Sequence, residues 1–170
     1  MRPLPIPPAS PPSRRALCAA LAAALVACGG PSARDALADA KSALAASRYD
    51  EAIASADAGL AAGADEVTAW GLELAKLEAF ARAGRGDATV AQLETLAKQR
   101  PEQVPADQYA ATADQLRAAG AGEAAVQALD AGLQRFPEDA DLLAQLEEVK
   151  QAAAPGSDEL EMLRSLGYVE

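Results

Sequence analysis

The stretch from Tyr49 to Leu60, Tyr-Asp-Glu-Ala-Ile-Ala-Ser-Ala-Asp-Ala-Gly-Leu, is written again from Gly122 to Leu133 as Gly-Glu-Ala-Ala-Val-Gln-Ala-Leu-Asp-Ala-Gly-Leu. The closing Asp-Ala-Gly-Leu is identical in both. A diverged third copy lies between them, Asp87 to Leu96, in which Ala88 and Leu96 stand where Ala52 and Leu60 stand in the first. Leu60, Leu96 and Leu133 are then spaced by 36 and 37 residues. A repeat of that length in an all-helical pattern is what stacked helix-turn-helix units produce, since no unit can bury its apolar face alone. Function in such an array lies on a surface built by several units, not in a catalytic cleft.

Composition agrees with an all-α chain. Aromatic residues make up only 4% of the sequence, and asparagine and histidine are absent, so the core must be alanine and leucine packed helix against helix. Apolar spacing predicts a first helix over residues 33–46, carrying Leu37, Ala40 and Leu44 on one face, and a second over 50–62 stopped at Gly63. The next pair runs over 66–83, with Val67, Trp70, Leu74 and Leu77 aligned, and from the Gly84-Arg85-Gly86 break to Gln99. A third pair covers 106–119 and 123–136, bent at Gly120-Ala121-Gly122 and closed by Pro137. A last helix over 139–153 would cap the open end of the stack. One repeat domain over residues 33–153 is expected, with residues 154–170 as linker and amphipathic tail.

Tyr49, Ala52, Ala56 and Leu60, Ala88 and Leu96, and Ala125, Leu129, Leu133 and Pro137 fall in a pattern that resembles the tetratricopeptide repeat family. The small residue early in each second helix lets it cross the first helix closely, and Ala40 and Ala113, twelve residues before Ala52 and Ala125, are small in turn. Lys76 occupies that offset from Ala88, and the spacing exceeds the family's period of about 34 residues. The second hairpin is therefore expected to be longer. The resemblance implies a concave groove, lined by the first helix of each hairpin, that takes peptides or protein segments. Trp70 reads as filler between hairpins, because it shares the spacing of Leu74 and Leu77; a ligand anchor is the competing role.

Residues 1–27 have the layout of an export signal: a proline-rich start, Arg14 and Arg15, then an apolar run from Ala16 to Ala27. That run is short of the roughly 20 residues a spanning helix needs. Leu25-Val26-Ala27-Cys28 resembles the bacterial lipoprotein lipobox, which implies cleavage between Ala27 and Cys28 and acylation of Cys28. An ordinary signal cut nearby, with Cys28 an incidental thiol, is the alternative. Ser13-Arg14-Arg15 gives a weaker likeness to a twin-arginine signal, from which Cys18 departs. Gly29 stands where an aspartate would, by the enterobacterial sorting rule, retain a lipoprotein in the inner membrane, so the outer membrane is the implied address. Residues 28–32 form a tether that starts the domain on the order of 15 Å from the bilayer.

The formal charge of −10 becomes −13 once the three arginines of residues 1–27 are removed, leaving 12 basic against 25 acidic groups. Such a body repels nucleic acid and anionic lipid headgroups. Without histidine, and with Cys18 in the signal and Cys28 acylated, imidazole and thiol chemistry are missing, and no Gly-x-Ser-x-Gly or phosphate-cradling loop is present. The chain is therefore expected to be no enzyme, to use no cofactor, metal or small-molecule substrate, and to bind a protein or peptide of the cell envelope. Lipid-anchored pilotins, which escort secretin subunits, are a similar architecture. The ending Leu163-Arg164-Ser165-Leu166-Gly167-Tyr168-Val169 resembles tails of some exported bacterial sulfatases, which implies an alternative role as accessory subunit of an exported hydrolase. A carboxylate-only enzyme is a remote third reading. The tail either folds back on the capping helix or plugs into another protein; the aggregation hazard of an exposed apolar helix favours the first.

For the anchor, Cys28→Ser is expected to abolish metabolic lipid labelling and cleavage before residue 28; labelling that persists in the variant would exclude acylation at this residue.

Overall fold

The computed structural model describes residues 32–170; Ala27, Cys28 and the export segment lie outside them. All regular structure among the described residues is helical. The helices are α1 (Ala33–Ala45), α2 (Tyr49–Ala61), α3 (Glu66–Arg82), α4 (Gly86–Gln99), α5 (Ala106–Ala118), α6 (Gly122–Arg135), α7 (Ala140–Ala152) and α8 (Asp158–Ser165), with a 3-10 turn at Pro101–Gln103. Their starts follow from local chemistry. Ser32 and Asp35 form a reciprocal capping box on α1, and Asp65, Asp139 and Ser157 cap α3, α7 and α8 by accepting from Thr68, Leu142 and Leu160 amides.

Pairing is sequential. α1 packs on α2, α3 on α4 and α5 on α6, while the first helices α1, α3, α5 and α7 also touch in succession. This is a helical-hairpin repeat array, as the spacing predicts. Each hairpin turn uses the same device. A residue in the left-handed region, Ser47 (φ 57°), Gly84 (φ 69°) or Gly120 (φ 79°), ends the first helix. The next amide then reaches back to a carbonyl five residues earlier: Arg48 to Ala43, Arg85 to Phe80, Ala121 to Leu116.

That device sets the register, and it corrects one alignment. The fourth residues of the second helices are Ala52, Thr89 and Ala125, so Thr89, not Ala88, is the equivalent of Ala52. Thr89 is fully buried and its hydroxyl donates to the Arg85 carbonyl at 2.9 Å, while Ala88 is half-exposed. Leu96 accordingly aligns with Gly59 and Gly132, and Leu77, not Lys76, aligns with Ala40 and Ala113. Letter matching put alanine on alanine; the turn geometry puts a threonine there, because its hydroxyl satisfies itself on the preceding turn.

The shift explains why the second unit departs from its neighbours. At Gly59 an added Cβ would sit 2.8 Å from Leu72 Cδ1 and 2.9 Å from Ala36 Cβ; at Gly132 it would sit 2.9 Å from Tyr109 Cβ and 3.0 Å from Leu142 Cδ1. α2 and α6 thus press bare backbone against both the first helix of their own hairpin and that of the next. In α4 the place is taken by Leu96, facing Leu77 and Tyr109 in the same buried cluster. The bulk holds α4 away, so the packing that α2 makes broadly on α3, and α6 more narrowly on α7, is not repeated between α4 and α5. Val104 and the 3-10 turn fill the space. Arg135 fixes them, donating to the Pro101 carbonyl at 2.9 Å and the Tyr109 hydroxyl at 2.8 Å.

Ser47 carries a side chain where the other two turns have glycine. A non-glycine residue in this conformation costs about 1–2 kcal/mol, part of which glycine returns through its more flexible unfolded chain. Ser47→Gly is therefore expected to stabilise the protein by about 0.5–1 kcal/mol in urea unfolding, and Ser47→Val to destabilise it.

Candidate functional site

Most of the residues singled out by the repeat pattern pack inside. Ala52 lies fully buried with Ala40 in a small cluster that Tyr49 flanks, and the Arg82 guanidinium stands 5.5 Å over the Tyr49 ring. Leu60 is half-buried against a second small cluster of Ala36, Ala56 and Leu72. Leu96, Ala125 and Leu133 join the large cluster that runs from α3 to α8. Pro137 is exposed just beyond the end of α6, so it helps end the helix and lies outside the buried core. Trp70 is half-buried against the large cluster with the Arg100 guanidinium 5.4 Å from its ring centre, and Arg100 also pairs with Glu66 at 3.4 Å. It packs on the core instead of standing free, and its cation partner comes from the end of its own hairpin.

What faces outward along the first helices is a shallow cleft of about 340 Å³. α1 contributes Lys41 and Leu44, α3 contributes Gly71, Leu74, Ala75 and Glu78, and α5 contributes Gln108, Ala111 and Gln115. Its depth comes from small residues. A Cβ on Gly71 would approach Leu37 Cδ2 to 3.0 Å, so α3 lies close on α1 at that point. The walls combine one apolar knob, Leu74, with two carboxamides, a lysine, and a carboxylate held at 3.0 Å by Arg82. Carboxamides can donate to and accept from an extended peptide backbone. The sequence-based reading reached the first helices but did not name Gln108, Ala111 or Gln115. Their signal was available, because they recur at helical spacing on the face of α5 opposite Tyr109, Ala113 and Leu116.

A larger recess, about 470 Å³, opens where α4, α6 and α8 begin, lined by Gly86, Asp87, Gly122, Glu123, Asp158 and Glu159 among others. Its carboxylates are those of helix first turns, where they complement the positive ends of three helices. No lysine or arginine lines it, and the described residues hold no cluster of three or more metal-ligating side chains. The same residues include no helix long and apolar enough to cross a membrane.

The tail folds back within the chain, but mainly onto α6 and only lightly onto the capping helix α7. Leu163 is fully buried, Met162, Tyr168 and Val169 pack beside it, and the Tyr168 hydroxyl donates to Asp130 at 2.7 Å. Burial, together with that bond to a carboxylate, pushes the Tyr168 phenol up to about 12. Compared with known proteins, the chain matches no family model, no curated relative and no solved structure.

A phenol whose folded-state pKa lies above its unfolded value near 10 stabilises the docked tail fully below pH 10 and loses that contribution as pH rises through about 12. Tyr168→Phe is thus expected to remove a tyrosinate absorbance step centred near pH 12; removal of a step near pH 10 would show the phenol to be solvated and undocked.

Proposed function

We propose that this chain is a lipid-anchored scaffold of tetratricopeptide type that holds a protein or peptide partner at the surface of the bacterial outer membrane. The observation that carries the reading is the cleft itself. Three successive first helices build it from small, apolar and carboxamide residues, with one lysine and one glutamate at its walls. Such a surface suits an extended or helical segment lying across several units, with Leu74 entering an apolar side chain and Gln108 and Gln115 bonding its backbone. Acylation at Cys28 would hold that cleft close to the membrane, where an assembly partner such as a pilotin's client is presented. The body's charge of −13 keeps it off anionic lipid and nucleic acid, so the partner is met through the cleft and not through the bilayer.

The test uses a photo-crosslinking amino acid placed at Ala111 in the cleft or at Lys98, an exposed residue of α4, in cells that export the protein. The reading predicts a discrete envelope-protein adduct from Ala111, absent from Lys98 and lost on Leu74→Glu. Adducts of equal yield from both positions, or ones insensitive to Leu74→Glu, would rule the cleft out as the partner site.

A further inference from the structure

The last helix sits in a place the repeat pattern reserves for something else. Glu159 of α8 lies over Gly122 at the first residue of α6, and Tyr168 reaches Asp130 further along it, so α8 runs parallel to α6. α4 flanks α6 in a like manner, Gly86 pressing on Ala124. α8 is therefore in the position of the second helix of a fourth hairpin, whose first helix is α7.

It is attached unlike the other second helices. α8 has eight residues and a single fully buried side chain, Leu163, against eight buried residues in α6. Both its ends are satisfied from within. Ser157 accepts the Leu160 amide at 3.3 Å, and the Tyr168 amide reaches the Leu163 carbonyl at 2.9 Å behind Gly167 (φ 81°). The connection from α7 is exposed over Ala154, Pro155 and Gly156. Its first turn also lies among like charges, Asp87 and Glu123 sharing a recess with Asp158 and Glu159.

The slot is nonetheless selective at three points. The cap residue of α6, Ala121, supplies no side-chain bond, and Glu159 stands over that uncapped positive end. It can do so only because residue 122 lacks a side chain: a Cβ there would fall 1.5 Å from Glu159 Oε1, and its three nearest atoms all belong to Glu159. Leu163 enters the apolar cluster, and Asp130 takes the phenol.

We propose that the face of α6 between Gly122 and Asp130 is a peptide-binding site. Its ligand is a short amphipathic helix carrying a carboxylate, a leucine four residues on and a tyrosine five beyond that; it is filled here by the chain's own ending and open to the ending of a second copy. The proposal does not depend on the concave cleft. The ending acts as an exchangeable latch: tethered in cis it masks the slot at an effective concentration in the millimolar range, so a second copy's ending binds once the resident one is disabled.

Two full-length variants in detergent separate ligand from receptor. Leu163→Asp disables the ending and leaves the slot intact. Gly122→Leu intrudes on the slot at the place Glu159 occupies, whose atoms are the three nearest to an added Cβ, and leaves the ending free. Sedimentation is expected to show each variant monomeric alone and a one-to-one complex in the mixture, lost when Tyr168→Phe and Leu163→Asp are added to the slot-blocked partner. A mixture that stays monomeric with both variants folded by circular dichroism would overturn the proposal. Should either variant fail to fold, hydrogen exchange on the wild-type chain decides: amides of α8 are expected to exchange about tenfold or more faster than those in the middle of α6, and equal rates would make the ending an integral part of the core.

Discussion

At Gly59 and again at Gly132 the second helix of a hairpin meets two first helices at once, and it does so with backbone. Glycine inside a helix costs about 1 kcal/mol relative to alanine, so its presence needs a compensating gain. The gain is contact: Leu72 and Ala36 around Gly59, and Tyr109 and Leu142 around Gly132, all lie where a Cβ would have to be. Dispersion between closely apposed helices falls steeply with even a small gap. The Asp-Ala-Gly-Leu recurrence therefore records a packing requirement.

The second hairpin shows what happens when that requirement is relaxed. Leu77, Thr89 and Leu96 stand where its neighbours have alanine, alanine and glycine, and α4 is held outward as a result. The chain closes the gap with a 3-10 turn and Val104 just after it, stapled by Arg135, whose guanidinium also stands over the rings of Tyr109 and Phe136. The core becomes asymmetric. One large cluster runs from α3 to α8, while the first hairpin is held by two small, alanine-rich clusters. The cleft on the first helices is a consequence of the same economy of side chains, since Gly71, Ala75 and Ala111 leave its floor open.

Helix content, pairing order and helix ends were legible in the sequence to within about a residue, because glycine breaks and cap residues act locally. The register of the second unit was not. Ala88 matched Ala52 by letter, whereas the chain aligns by the left-handed turn residue, and Ser47 disguises that position in the first hairpin. The tail's amphipathic character could be read from Leu160, Leu163 and Leu166, but its destination depended on the bare Gly122 and on Asp130, both distant in sequence. The cleft residues of α5, Gln108, Ala111 and Gln115, do recur at helical spacing, but only the packing of α1 and α3 beside them makes that face a cleft.

A double-mutant cycle between Gly59 and Leu72 tests the close crossing most directly. Gly59→Ala alone should destabilise the protein by about 1–3 kcal/mol through overpacking, despite the better helix propensity of alanine. Leu72→Ala opens the space that the new methyl needs, so the pair should be less destabilised than the sum of its parts by about 1 kcal/mol or more. Effects that simply add, or a Gly59→Ala variant more stable than the wild type, would mean that the helices are not pressed together at this position.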